Sequence, residues 1–215
     1  MKITDLHNHT LYSYDGSNTC TEIINNAIAN SISVIGISDH QFSVRGRLRE
    51  YISEINALKQ AYKGKINIKC GLEIGTRPYP DDLIIGDANK LDYCLFESLD
   101  SPKGMDLYEF EQWCALFTIP KGLAHTDIFS LQKRYGLDIF DFMKKNNLFW
   151  ELNTSGNYTY YYDFITNREK QKLVSESGIT VSIGSDTHWT RDFVRSKLFS
   201  AHELIEKLGN PIIFS

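Results

Sequence analysis

Histidines and carboxylates are the residues of this chain whose spacing could do chemistry. His7 and His9 form an HxH pair. Asp39-His40, Glu73, Glu97, His125-Thr126-Asp127 and Asp186-Thr187-His188 follow at long intervals. Imidazole and carboxylate together are the donor set that Zn²⁺, Mn²⁺ or Fe²⁺ takes. Side chains alternate along a strand, so both members of His7/His9, and of Asp186/His188, fall on one side and can grip one ion. The matching chemistry is hydrolysis by a water whose pKa the ions lower. Other hydrolytic routes lack their parts. There is no GxSxG elbow, no P-loop and no GxGxxG.

One histidine beside an acid is more often a satisfied polar group than a ligand. Five of the six histidines in such places are hard to explain as packing. Glu151 and Asn153 read more weakly, as groups that satisfy loop backbone. His202 falls inside the last helical pattern and reads as surface. Trp113, Trp150 and the run Tyr158–Tyr162 read as core or loop packing; the run could alternatively form an aromatic wall of a pocket.

These residues need elements that bring them together. Candidate strands are Ile3–His7, Ser33–Ser38, Ile66–Glu73, Tyr93–Phe96, Gly122–His125, Phe149–Leu152 and Thr180–Ile183. Most are continuous apolar runs, as parallel strands buried on both faces require. Helical spacing of apolar residues marks Cys20–Asn30, Leu48–Tyr62, Asp106–Phe117, Asp138–Asn146, Asn167–Ser177 and Ser196–Leu208. Thr19 or Thr21 can cap the first of these. Gly178 and Gly209 fall just past helix ends. Seven repeats of strand then helix predict an α/β fold with a parallel sheet. Every candidate ligand then falls at a strand's C-terminal end, on the one face where such folds build their sites. The pattern by itself fits an open sheet or a closed barrel.

At 215 residues and 42% hydrophobic, the chain is expected to form one domain over 1–215 with a sizeable core. A net charge of −4 gives no general attraction to nucleic acid or to anionic membrane. The four cysteines, Cys20, Cys70, Cys94 and Cys114, are scattered without a CxxC pair and read as thiols of a reducing compartment. The first residues run into a polar strand rather than a signal peptide, and no apolar run is long enough for a bilayer. The expected setting is cytoplasmic.

Taken in order, Asp5-Leu6-His7-Asn8-His9-Thr10, Tyr14-Asp15-Gly16, Ser38-Asp39-His40, Gly71-Leu72-Glu73, Ala124-His125-Thr126-Asp127 and Gly184-Ser185-Asp186-Thr187-His188 resemble the motifs of the polymerase-and-histidinol-phosphatase (PHP) family. The stretch from Ala124 through Asn153-Thr154-Ser155-Gly156 looks most like its histidinol-phosphate phosphatase branch. The resemblance implies a distorted (β/α)7 TIM-like barrel of PHP type, and two to three divalent ions, zinc, manganese or iron. It implies His7, His9, Glu73 and Asp186 around one ion. Glu73 bridges to a second ion, shared with Glu97 and His125. Asp15, His40 and His188 hold a third. Two positions depart from the pattern: Asp15 stands where several three-metal members have His, and Glu97 where the family usually has His.

The expected reaction is hydrolysis of a small phosphate monoester, with Asp186 orienting the attacking water and His188 and Glu73 completing the catalytic set. A phosphate also asks for cations at the mouth. Arg77 is the first choice, stiffened by Pro78; Arg45, Lys103 and Arg191 are the others. Nucleic acid is expected only as a nucleotide or oligonucleotide substrate. The oligomeric state is unreadable. Two rival readings are a metal-dependent amidohydrolase and a catalytically inactive metal-binding PHP domain.

Overall fold

In a computed structural model, residues 2–77, 83 and 85–215 are described. The elements run β1 (Thr4–Asp5), α1 (Cys20–Ala29), β2 (Val34–Ile37), α2 (Leu48–Ala61), β3 (Asn67–Cys70), β4 (Glu73–Gly75), α3 (Ile85–Ala88), β5 (Cys94–Glu97) and α4 (Leu107–Cys114). There follow β6 (Lys121–Leu123), α5 (Ile128–Tyr135), α6 (Ile139–Lys145), β7 (Leu148–Asn153), α7 (Thr159–Thr166), α8 (Arg168–Ser177), β8 (Val181–Gly184) and α9 (Arg195–Leu208).

All strand pairs are parallel, in the orders β1-β2-β3 and β4-β5-β6-β7-β8. Backbone hydrogen bonds join the two sheets at both seams. Gly71 N–H donates to Ile37 O (2.7 Å) and Glu73 N–H to Asp39 O (3.0 Å), so β3 and β4 are one strand interrupted at Gly71-Leu72. At the other seam Leu6 N–H donates to Ile183 O (3.0 Å) and Asp186 N–H to His7 O (2.8 Å). The seven strands therefore ring a barrel, and the helices pack outside it. An open sheet is ruled out by those seam bonds.

Two apolar clusters follow from this geometry. The larger fills the layer between strands and helices. The smaller comprises Leu6, Val34, Tyr93, Leu95, Ala124 and Phe149, with Ile213 and Phe214 packed against it. Its members come from both sheets, and the Tyr93 hydroxyl donates to Leu6 O across the ring. Period two then sorts the inward side chains by height. Along β5 the order is Tyr93, Leu95, Glu97; along β7 it is Phe149, Glu151, Asn153. Apolar side chains close the bottom and polar ones collect at the top. A Cβ on Gly71 would lie 2.2 Å from the Tyr93 ring, and one on Gly122 2.1 Å from Phe149, so only glycine lets these rings fill the barrel.

Local chemistry sets the outer elements. Thr19 and Glu22 form a capping box at α1, a device worth about 1 kcal/mol. Asp106, Asp127, Asp138 and Asn167 cap α4, α5, α6 and α8. Gly178 and Gly209 close α8 and α9 in the left-handed conformation (φ 65° and 80°). The four cysteines are free and buried. Among the described residues, no helix is long and apolar enough to cross a membrane.

Three helices depart from the sequence expectation. α3 and α5 have no counterpart among the expected helices, and α7 overlaps the Tyr158–Tyr162 run, where aromatic crowding hides the helical period. His202 is a correction. It is buried, not surface, with Nε2 2.7 Å from Thr4 O and 3.1 Å from Thr4 N.

Candidate metal centre

The strand ends deliver the histidines and acids to one place. Three groups of ligating atoms lie within 4.8 Å of one another: His7, His9 and Asp186; His40, Glu73 and Glu97; His9, Asp15, His40 and His188. The groups share His9 and His40, so they are contiguous. His125 joins through its Nε2, 2.8 Å from Glu73 Oε1. All nine residues expected as ligands are thus gathered.

The ligating atoms approach one another closely. His7 Nε2 lies 3.1 Å from His9 Nε2, 3.3 Å from Glu73 Oε1 and 3.5 Å from Asp186 Oδ1. His9 Nε2 lies 3.3 Å from Asp186 Oδ1 and 3.5 Å from Glu73 Oε2. Asp15 Oδ2 is 3.4 Å from His40 Nε2 and 3.2 Å from His188 Nε2. His40 Nδ1 and Glu73 Oε2 approach to 2.8 Å, yet neither makes a hydrogen bond, and Asp15 Oδ1 is also buried without one. Buried polar atoms are normally paired. Lone pairs of imidazole and carboxylate aimed at common points are what divalent cations satisfy, so the donor set fits them.

Second interactions aim the ligands. His7 Nδ1 is 2.8 Å from Glu151 Oε1, and His9 Nδ1 is 3.1 Å from Ser13 Oγ, which leaves both Nε2 atoms facing the centre. Glu151 does more. Its Oε2 accepts the backbone N–H of His125 (2.7 Å) and Asn153 Nδ2 (3.2 Å). A Cβ on Gly184 would lie 2.2 Å from Glu151 Oε1, so β8 makes room for that carboxylate. The weak sequence reading of Glu151 is therefore corrected: it is fully buried and holds two candidate ligands. No spacing marks it, because its partners His7 and His125 lie just after β1 and β6. Asp39 and Asp127 lie beside candidate ligands but serve structure. Asp39 accepts from Thr10 N, Thr10 Oγ1 and Ser13 Oγ, and Asp127 caps α5.

The backbone is strained here as well. Asp186 (φ 54°), His125 (φ 30°) and Ser98 (φ 67°), the residue after Glu97, all adopt positive φ. Such conformations cost roughly 1–3 kcal/mol each and cluster at functional sites.

The electrostatics is that of a mixed-charge cluster. Burial would raise the Asp186 carboxyl, but the His7 and His9 rings overcome it and hold Asp186 below the usual range. Glu73 is likewise held well below, against burial, by His7, His125 and His40. Burial opposes charge on His40, yet Glu73 and Glu97 push it up to about 10.

Glu97 faces the cluster rather than turning away, with Oε1 3.7 Å from His40 Nδ1. Tyr158 completes one wall. Its ring stacks on His125 (4.3 Å, 8°) and its hydroxyl reaches Asp186 Oδ2 at 3.3 Å. The four candidate phosphate contacts, Arg45, Arg77, Lys103 and Arg191, are all exposed. Arg191 stacks on Trp189, 3.0 Å from the ring centroid. Pro78, expected to stiffen the Arg77 loop, lies outside the described residues.

A histidinol-phosphatase of Lactococcus lactis is 36% identical over 83 residues, which are 35% of this chain and 30% of that protein. A probable histidinol-phosphatase of Deinococcus radiodurans is 24% identical over 86% of both chains. The crystal structure of the L. lactis histidinol phosphate phosphatase, complexed with zinc, L-histidinol and phosphate, shares the fold: its TM-score is 0.65 at 19% identity, covering 98% of this chain and 95% of that one. The PHP domain family model matches residues 5–206, so the chain belongs to the PHP domain family.

Proposed function

We propose that this chain is a metal-dependent phosphoesterase that hydrolyses a small phosphate monoester, in the manner of a histidinol phosphatase. The observation that carries it is three groups of ligating atoms at the barrel mouth, linked through His9 and His40, with the atoms of each group within 4.8 Å of one another. Family membership and relatives described as phosphatases support the same reading. Two to three divalent ions would polarise the phosphoryl oxygens and lower the pKa of the attacking water.

The chain's own residues would divide the work. His7, His9, Glu73 and Asp186 hold the first position, Glu73, Glu97 and His125 the second, and Asp15, His40 and His188 the third. Asp186, kept ionised by its histidine neighbours, orients the attacking water and accepts a hydrogen bond from it. Glu73 would contribute to both of the first two positions, and His188 would help to hold an ion able to stabilise the departing ester oxygen. Tyr158 shields the His125 side from solvent and donates toward Asp186. Arg77 is the first candidate to offer charge to the phosphate, with Arg45, Lys103 and Arg191 as the others. A single barrel over 1–215 and a cytoplasmic setting, in keeping with four unpaired thiols, belong to the same reading.

The test is a panel of phosphate monoesters, with histidinol phosphate among them, and carboxamides as the rival class. Hydrolysis of phosphate esters that a chelator abolishes and Mn²⁺, Zn²⁺ or Fe²⁺ restores is the expected result. Amide turnover alone would transfer the chain to the amidohydrolase reading. Metal binding without turnover of either class would make it an inactive domain.

A further inference from the structure

We infer that Tyr14 and Phe42 form a stacking platform for a planar ring carried by the leaving alcohol of the substrate. The inference rests on the phosphoesterase reading and narrows it to monoesters such as nucleoside monophosphates.

The two rings lie at the edge of the metal centre. The Tyr14 and Phe42 ring centroids are 5.5 Å and 5.2 Å from that of His40, and 5.4 Å from each other. The His40 ring stacks on both, at 26° to Tyr14 and 21° to Phe42, while those two are tilted to each other by 34°, so the rings fan out from a candidate metal ligand. Tyr14 is 73% exposed and Phe42 51% exposed. Rings so open to water contribute little to the core.

Both rings are presented on fixed backbone. Thr10 and Ser13 bond to Asp39, and Leu11 N–H donates to Asn18 O (2.9 Å). Gly16 packs so closely on this turn that a Cβ there would lie 1.9 Å from Thr10 O. On the other side, Gln41 N–H donates to Glu73 O (2.7 Å) and Ser43 N–H to His40 O (3.0 Å). Tyr14 N–H reaches Ser43 Oγ (3.3 Å), which ties the two turns together. A platform held this way loses little freedom when a ligand lands on it.

The shape selects the occupant. Rings that stack on a candidate ligand at the edge of the metal centre extend that stack outward, with offset faces as aromatic pairs prefer. An alkyl chain would need an enclosing groove, which two open ring faces do not supply. Two side chains are far too little area for a protein partner, which needs roughly 1,000 Å² in all. Adjacency to His40 sets the reach: with the phosphate at the cluster, one sugar suffices to bring a base to the platform.

Adenosine 5′-monophosphate and ribose 5-phosphate test this, because they share the same leaving alkoxide and differ only in the base. Binding to the Mn²⁺-loaded protein is measured by calorimetry, and hydrolysis by phosphate release, for wild type, Tyr14→Ala and Phe42→Ala. Base stacking is worth about 1–3 kcal/mol, so the wild type should favour the nucleotide about tenfold or more. That preference should fall toward one in both variants, and Tyr14→Phe should retain it. Equal affinity of wild type for the two esters overturns the platform, as does a preference that survives both alanine substitutions. Turnover of ribose 5-phosphate without a base preference would sink the platform and leave the phosphoesterase reading standing. A base preference in binding with no turnover of any ester would do the reverse.

Discussion

The two ends of the barrel handle buried polar atoms differently. At the N-terminal end the atoms without hydrogen-bond partners include Thr4 Oγ1, His202 Nδ1 and Asn210 Oδ1. They are neutral, and each is a single lapse in an otherwise paired side chain or segment. At the C-terminal end they are Asp15 Oδ1, His40 Nδ1 and Glu73 Oε2. Those belong to two acids and one imidazole of the candidate ligand set, and His40 Nδ1 and Glu73 Oε2 face each other at 2.8 Å. An unsatisfied atom alone therefore does not mark a site. Unsatisfied atoms of ligand type that converge on common points do, because only a shared cation relieves them all.

Metal supplies the largest expected effect on that contrast. Adding Mn²⁺ or Zn²⁺ at 100 times its dissociation constant should stabilise the folded chain by about 2.7 kcal/mol per site, read as a rise in Tm. Asp186→Ala should lose on the order of a thousandfold or more in kcat, whereas His202→Gln, at the opposite end, should keep metal content. Near-normal turnover by Asp186→Ala would remove Asp186 from its role. An unchanged Tm with every metal would erase the difference between the two ends.

Glu151→Gln should come next. The amide keeps the volume but cannot accept from His125 N–H, orient His7 and stay ionised together. Loss of such a supporting carboxylate typically costs 10–100-fold in metal affinity. Competition with a chromophoric chelator measures it, and circular dichroism checks that the fold survives. Affinity equal to wild type would mean that Glu151 only pairs backbone.

The sequence shows why Glu151 was underrated. Ligands announce themselves as HxH and DxH pairs because strand alternation fixes their spacing, and the family motifs placed Asp15 and Glu97 as well. The strands were legible for a related reason: parallel strands are continuous apolar runs. A supporting carboxylate has partners on other strands, and nothing in its own neighbourhood reports them. His202 failed the same way. Its helix reads as amphipathic, and only the docking of α9 on β1 buries the ring. Closure of the barrel also lies in register, in bonds such as Leu6 N–H to Ile183 O, which the resemblance implied and periodicity could not.

Glu97 sharpens the contrast by metal type. A carboxylate in place of imidazole makes its position harder and more anionic, which favours Mn²⁺ over Zn²⁺. Glu97→His should shift preference toward zinc, and Glu97→Gln should lower metal stoichiometry or affinity. Full metal content and activity in Glu97→Gln would show that Oε1, for all its approach to His40, does not ligate.

The smallest effect belongs to His202. Burial lowers its pKa below the ordinary imidazole value, against the hydrogen bond at Thr4 and the charge of Glu206 on the next helical turn. The folded protein thus keeps the ring neutral at pH values where the unfolded chain takes up a proton. The sign follows directly. The contribution is fully present above the unfolded value, near 6.5, and is lost as pH falls through the lowered folded value. Just below pH 6.5 the loss is at most about 1.4 kcal/mol per pH unit, the limit for one proton. His202→Gln removes the titrating group and leaves a side chain able to reach Thr4. Urea unfolding of both proteins from pH 7.5 to 5.5, with the metal chelated throughout, gives the comparison. The variant starts less stable but loses less on acidification, so the gap between the two proteins narrows as pH falls. A gap that stays constant would mean the ring takes its proton equally well folded and unfolded, and that the base of the barrel is wetter at Thr4 than its packing indicates.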